Sequence, residues 1–286
     1  MVIGIDLGGT NIRSGLVEDG KVVVVRHTVL TNKDSLTKTI AQLIDTIQLL
    51  MGPEVTGIGI GVPSVVDLEN GIVYNVVNIP SWEKVELKSI LEDRFQLPVK
   101  VNNDVNCFVL GQHLYGQAID CSSVVGLTLG TGLGAGIIIN NHLFEGQNCG
   151  AGEIGMLPYL DQNFEYYTSS CFFLEKHNVS ASRNHYDALQ KKEEAMQVWK
   201  EYGFHVGNVL KAVVYTYDPE MIIIGGSIAK AHPFFFDSMM DELAGFYYKE
   251  SIKKVKICFS EEENMAILGA ASLLKSGTKM RMDPVV

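Results

Sequence analysis

Leu7-Gly8-Gly9-Thr10 sits between two apolar runs, and Leu129-Gly130-Thr131-Gly132 sits between two more, at an offset of 122 residues. A glycine-rich turn flanked by β-branched runs predicts a strand hairpin. Finding the same plan twice predicts an internal duplication, and with it a chain that must bury two similar sheets. At that offset Glu18-Asp19-Gly20 falls opposite Asn140-Asn141-His142, which extends the predicted match through a second hairpin. A chain of 286 residues has room for two such cores. The reading is an α/β lobe over 1–115 and a larger α/β lobe over 116–286, with a terminal helix near 264–275 able to pack on the first.

Between the hairpins the pattern changes period. Leu36, Ile40, Leu43, Ile44, Ile47 and Leu50 recur at helical spacing, with Asp34 or Ser35 available as N-cap and Gly52-Pro53 to stop the run. Gly57 to Val62 then reads as a buried strand. A helix over 86–95 leads through Pro98 to a short strand at Val99-Lys100-Val101. Asn102-Asn103-Asp104 follows, polar residues suited to a helix N-terminus, so Asp104 is expected at a strand-to-helix junction. Residues 193–217 read as one long helix or two abutting ones, ending at Asp218-Pro219. Met221 to Ile224 is a buried strand that runs into Gly225-Gly226, and the tail after Gly277 is expected to fray.

Composition excludes several classes of function. Lys and Arg sum to 23 against 33 Asp and Glu, so the net charge is -10 and the surface repels phosphate backbones and anionic lipid. Neither a nucleic-acid partner nor a membrane surface is expected. The five cysteines form no CxxC pair, which fits a reducing compartment rather than a disulfide framework. No stretch reaches the ~18 apolar residues of a membrane span, and the expected location is cytoplasmic.

Both turns carry chemistry. A phosphate chain with its metal ion needs backbone N–H donors at close range and no Cβ in the way. Asp6, Gly8, Gly9 and Thr10 offer that, together with a carboxylate for hydrated Mg²⁺ and a hydroxyl for a phosphate oxygen. Gly130, Thr131 and Gly132 offer a second cradle. Neither fits GxxxxGK[ST], and Gly132-Leu133-Gly134 leads into an apolar strand instead of a helix, so the P-loop and dinucleotide-binding readings fail on context.

Taken together, DLGGT at 6–10, GVPS at 61–64, NIPSW at 78–82, VNND at 101–104, GTGLGAGII at 130–138, GAGEIG at 150–155 and IIIGGSI at 222–228 resemble the ROK sugar kinases, members of the actin-like, hexokinase-type ATPase fold. The resemblance runs from residue 2 to about 275. It implies a two-lobed fold related to ribonuclease H, with duplicated mixed β-sheets flanked by helices. It also implies ATP and Mg²⁺ as cofactors, a free hexose or N-acetylhexosamine as substrate, and a homodimer. Asp104 matches the family's general base, and a carboxylate at a helix start suits that role because it can hold the attacking hydroxyl in line. Asn103 matches a sugar-hydroxyl ligand, Glu153 the sugar-binding glutamate, and Asn78 a loop residue brought over the sugar. Gly225 and Gly226 match the turn beside adenosine. Phe164 to Ser170 is similar to the stretch that follows the family's zinc knuckle, which makes Glu165 the second sugar-contacting glutamate.

One departure is plain. The family usually reads GEIGH and then a cysteine cluster that binds a structural zinc, whereas Met156 stands at the His position here and only Cys171 follows nearby. A closed zinc site needs four N or S ligands, so no zinc is expected, and the aromatic residues from Tyr159 to Tyr167, with Leu157, are expected to hold Glu153 and Glu165 instead. The leading expectation is a glucokinase-like, ATP-dependent hexose kinase. The alternative is a sugar-sensing protein of the regulator type with weak or no kinase activity. ROK regulators carry a helix-turn-helix ahead of the DxGxT motif, and with five residues before Asp6 a DNA-binding segment is not expected.

Overall fold

The computed structural model describes residues 1–275, and the fraying expected after Gly277 lies outside that range. Two compact units divide the chain. The first comprises Met1–Gly116, Gly146–Cys149 and the chain from Asn264; the second comprises Gln117–Glu145 and Gly150–Glu263. The chain thus re-enters the first unit twice, at a four-residue segment and at its end, where continuous lobes over 1–115 and 116–286 have only the terminal helix returning.

In the first unit β1 (Val2–Leu7), β2 (Asn11–Glu18) and β3 (Lys21–Val29) form an antiparallel meander. Helix α1 (Leu36–Gln48) crosses over to β4 (Ile58–Val62), which lies parallel to β1. Ser35 takes the N-cap position of α1 without a side-chain capping bond; its carbonyl accepts from the Thr39 amide at 3.0 Å. Short strands β5 (Val66–Asp67), β6 (Ile72–Tyr74) and β7 (Lys84–Val85) make a separate antiparallel sheet. Then come α2 (Leu87–Phe95), β8 (Val99–Asn103) parallel to β4, and α3 (Asp104–Tyr115).

The second unit repeats the plan. Strands β9 (Val124–Leu129), β10 (Leu133–Ile139) and β11 (His142–Leu143) form its antiparallel part. A small hairpin, β12 (Pro158–Tyr159) and β13 (Gln162–Asn163), runs into α4 (Phe164–Thr168) and then α5 (Ala181–Leu189). Residues 193–217 form one helix, α6 (Glu193–Tyr217), followed by β14 (Met221–Gly225) parallel to β9. Helices α7 (Phe236–Leu243) and α8 (Lys249–Ile252) precede β15 (Lys256–Phe259), and α9 (Met265–Ser272) returns to the first unit.

The two five-stranded sheets have the same order, β3-β2-β1-β4-β8 and β11-β10-β9-β14-β15. Their registers correct one detail. Leu7 pairs with Ile12 but Leu129 pairs with Leu133, so the first loop of the second sheet is one residue shorter. The next turn therefore matches Asp19-Gly20 with Asn140-Asn141, at an offset of 121 instead of 122; all four residues have positive φ, as a tight two-residue hairpin turn demands.

Each unit has its own core. That of the first is mostly aliphatic, including Ile3, Ile5, Ile58, Ile60 and Leu91, with Trp82 as its large aromatic. That of the second is rich in rings: Phe172, Phe173, Trp199, Tyr202, Phe235 and Phe246 are all fully buried. In the first unit α9 lies so close to the sheet that a Cβ on Gly59 would come within 1.8 Å of the Ala270 carbonyl oxygen. Among the described residues no helix is long and apolar enough to cross a membrane.

Candidate functional site

The parallel strands of the first unit bring its candidate residues to one sheet edge. Asp6 on β1 pairs with Gly61 on β4, and Gly61 pairs with Asn102 on β8, so these three share a row at the carboxyl ends of their strands. The loops that leave that edge carry Gly8, Gly9 and Thr10, Ser64, and Asn103-Asp104. In open α/β sheets ligands bind beyond the carboxyl ends of the strands.

Asp6 faces Arg13 across the β1–β2 pair. Burial raises the Asp6 carboxyl above its usual range, and the Arg13 charge offsets this in part. A desolvated carboxylate at a loop built of glycines favours added positive charge, so Asp6 fits a hydrated divalent cation, which takes oxygen ligands from one or two carboxylates and completes its shell with water and phosphate. Among the described residues no three His, Cys, Asp or Glu side chains converge to hold a metal by themselves. Arg13 is absent from the expectations drawn from sequence. The signal was there, since pairing Leu7 with Ile12 places Arg13 opposite Asp6.

The loop after β1 is closed by a bond from the Gly8 amide to the Asn11 carbonyl at 2.8 Å. Asn78 lies against it: a Cβ on Gly9 would fall 2.2 Å from the Asn78 Cβ, so only glycine allows this approach. Ile79 and Trp82 anchor the Asn78 segment in the core, with the Trp82 indole donating to Thr39 Oγ1 at 2.7 Å. The exposed Asn78 thus borders the Gly8–Thr10 turn.

At the start of α3 the N-cap is Asn103. Its Oδ1 accepts from the Val105 and Asn106 amides at 2.9 and 3.2 Å, while its Nδ2 reaches the Ser64 carbonyl at 3.4 Å. Asp104 is the first helical residue, and its Oδ1 also accepts from the Val105 amide at 2.9 Å. A carboxylate in a first helical turn lies in the favourable field of the N-terminus.

In the second unit the matching edge carries the other turns. A bond from the Gly130 amide to the Gly132 carbonyl at 3.0 Å closes the loop after β9. Gly226, just after β14, has φ +95, and a Cβ there would lie 2.3 Å from the Leu129 oxygen, so the Gly225-Gly226 turn packs directly on the base of that loop. Thr131 is exposed, and its carbonyl accepts from Ser170 Oγ at 3.2 Å. Ser170 is a second residue the sequence reading did not single out; its amide also bonds to the Gly130 carbonyl at 2.9 Å.

Glu165 joins this group. Its Oε2 accepts from the Leu133 amide at 3.0 Å and would lie 2.5 Å from a Cβ on Gly132, so a larger residue there would push the Glu165 carboxylate aside. Glu153 is near enough to Glu165 to feel its charge. Burial first, and the Glu165 carboxylate second, raise the Glu153 carboxyl above its usual range.

The segment around these acids is held by rings. Tyr159 stacks on Phe164 at 4.5 Å and meets Tyr167 edge-on at 5.4 Å; its hydroxyl bonds to His205 Nδ1 at 3.1 Å. Asn163 caps α4 by accepting from the Tyr166 amide at 2.8 Å. Leu157, expected in this packing, is instead 47% exposed, and Met156 is 53% exposed. Leu157 is tied to this segment by its backbone, its carbonyl accepting from the Phe164 amide at 3.2 Å.

The model of the ROK family matches residues 2–172 and 164–277. The glucokinase of Thermotoga maritima is 30% identical over 96% of this chain and 97% of its own length. The xylose repressor of Bacillus subtilis is 27% identical over 95% of this chain and 76% of its own length. A solved ROK glucokinase from Streptomyces griseus, in complex with glucose and AMPPNP, superposes with a TM-score of 0.83 at 24% identity, covering 95% of this chain and 98% of that one, so the fold here is the actin-like, hexokinase-type ATPase fold.

Proposed function

Given that the chain belongs to the ROK family, we propose that it is an ATP-dependent sugar kinase, transferring the γ-phosphoryl group to a hydroxyl of a free hexose or N-acetylhexosamine. The observation that carries this reading is the shared edge row in the first unit, which puts Asp6 and the Asn102–Asp104 turn at the carboxyl ends of parallel strands β1 and β8, with β4 between them. Phosphoryl transfer asks a protein mainly for positioning and charge stabilisation. Asp104 takes the proton of the sugar hydroxyl as the hydroxyl oxygen forms its bond to the γ-phosphorus. The bond from that phosphorus to the β–γ bridging oxygen breaks, and ADP leaves.

The turns at Gly8–Thr10 and Gly130–Gly132 are assigned to phosphate oxygens, through the threonine hydroxyls and amides other than those of Gly8 and Gly130, which close the loops, while Gly225-Gly226 is assigned to the nucleoside side. Asp6 would hold Mg²⁺ through water, and the ion would supply neutralising charge to the nucleotide phosphates. Asn103, Asn78, Glu153 and Glu165 are assigned to sugar hydroxyls. The Glu153–Glu165 pair suits that task because hydroxyls donate to carboxylates, and donation relieves two like charges held near each other.

A coupled assay of ATP turnover across hexoses and N-acetylhexosamines tests the reading. Turnover stimulated by at least one sugar is expected; a folded protein inert to the whole panel contradicts it. A sugar-responsive regulator is the second reading, favoured by the likeness to the Bacillus subtilis xylose repressor. Calorimetry separates the two, since a sensor binds sugar without turning over ATP.

A further inference from the structure

Behind the Asn103-Asp104 turn lies a buried polar cluster that none of the roles above uses. Its hub is Asn102 Oδ1, which accepts from the Asn103 amide at 2.8 Å, from Asn106 Nδ2 at 3.0 Å and from the Cys149 thiol at 3.2 Å. Asn106 Nδ2 also points to Cys149 Sγ at 3.5 Å. Asn102, Asn106 and Cys149 are 2%, 1% and 2% exposed. A polar group sealed from water in this way fixes geometry, because any displacement leaves a donor or acceptor unpaired.

Cys149 is an unexpected member. It ends the four-residue segment Gly146–Cys149 that re-enters the first unit, and its backbone has φ 56, a left-handed conformation uncommon for a side chain with a Cβ. Such a conformation persists only where the surroundings over-determine it. Here they do: the thiol is locked between Asn102 and Asn106, one strand end and one helical turn. Three residues further along the chain than Gly150, Glu153 begins the segment assigned to the sugar.

We propose that Cys149 is a positioning residue for Asp104. Through Asn102 the thiol sets the orientation of the Asn103-Asp104 turn. The proposal rests on the kinase reading for its consequence in rate, but the hub itself is a matter of hydrogen bonds and can be read without turnover.

The test compares Cys149→Ala with Cys149→Ser in the full chain. Both keep a Cβ, so the cost of the left-handed backbone is the same in each, and only serine keeps a donor for Asn102 Oδ1. In the alanine variant kcat is expected to fall about tenfold with KM for ATP and sugar within about threefold of wild type, as for a lost interaction that orients the base; the serine variant recovers most of kcat. Wild-type kcat in the alanine variant, an equal rise in KM, or a serine variant no better than alanine overturns the proposal. If the wild-type chain turns over no sugar, the kinase reading fails separately, and hydrogen exchange of the Val105 and Asn106 amides still decides the hub: exchange about tenfold faster in alanine than in serine supports it, and equal exchange overturns it.

Discussion

The two five-stranded sheets share an order and differ in what their edges carry. At the end of β1 stands the partly buried carboxylate Asp6; the residue 122 positions on is Thr128, which simply pairs with Gly225. After β8 the chain turns at once into α3 with Asn103 and Asp104 at its start, whereas β15 is followed by a loop and then α9, which packs back on the first unit. The residue proposed as general base thus lies in the first copy. The second copy has the tighter glycine turn and an acid, Glu165, that buttresses it. A duplicated sheet supplies two similar edges, and divergence at a few edge residues leaves the carboxylates Asp6 and Asp104 at the first edge alone.

The cores diverge in the same direction. Aliphatic packing suffices under the first sheet, where α9 can approach closely over glycines. Under the second, rings fill the space around the segment from Glu153 to Glu165, where relatives are expected to place a metal. Truncating one of those rings is the sharpest way to break the comparison. Phe172→Ala should cost about 3–5 kcal/mol by thermal or denaturant unfolding and weaken sugar binding as well, whereas Ile60→Val in the first core should cost about 0.5–1.5 kcal/mol and leave binding alone. Sugar binding left unchanged by Phe172→Ala would mean that the ring cluster is ordinary filler.

Next in size is the test of the turns. Thr10→Val and Thr131→Val each remove one hydroxyl, and a lost hydrogen bond to a charged group corresponds to about 1.5–3 kcal/mol, roughly tenfold to a hundredfold in ATP use, with sugar affinity little changed. A loss confined to sugar affinity would reverse the assignment of sides.

Acid sensitivity should come from the second unit. Burial lowers His205 to about 4, with the Lys176 charge acting the same way and Glu201 opposing; His177, Tyr159 and Tyr167 also face the ring. The unfolded imidazole, at its ordinary 6.5, binds protons that the folded one refuses, so stability falls as pH falls from about 6.5 toward 4. Between pH 7 and 5 the decline from this group is about 1–2 kcal/mol. His205→Phe, which keeps a ring there, should flatten the pH dependence of the thermal midpoint; an unchanged slope would place the sensitivity elsewhere. The smallest expected effect is none: chelator should leave the midpoint unmoved and elemental analysis should find no stoichiometric zinc, because Met156 and Cys171 are too few ligands. About one zinc per chain would defeat this, with His177 and His185 the first ligands to examine.

What was legible in the sequence was local. Gly-Gly turns between β-branched runs, the 3.6-residue spacing from Leu36 to Ile47, and the polar run before α3 all report on their own neighbourhoods, and each produced the element expected. The duplication was visible because both copies kept the pattern. The shorter loop at Gly130–Gly132 was not, because one residue lost inside a turn shifts the register without disturbing either flanking run. Long-range pairings were also hidden: nothing near Cys149 shows that it returns to Asn102, and nothing near Glu165 shows that it meets Leu133. Asn103 illustrates the limit within a site. As a residue type it suits both a helix cap and a hydroxyl ligand, and only the structure shows its Oδ1 committed to the cap.

Asp104 has the assigned role of base in a sugar kinase. That role is tested most directly by measuring ATP-dependent sugar phosphorylation and calorimetric sugar affinity on the same preparations of wild type and Asp104→Asn. The amide keeps the shape of the side chain but cannot take the proton, so kcat should fall by roughly two to four orders of magnitude while sugar affinity stays within about tenfold. Phosphorylation by Asp104→Asn at the wild-type rate would contradict the account.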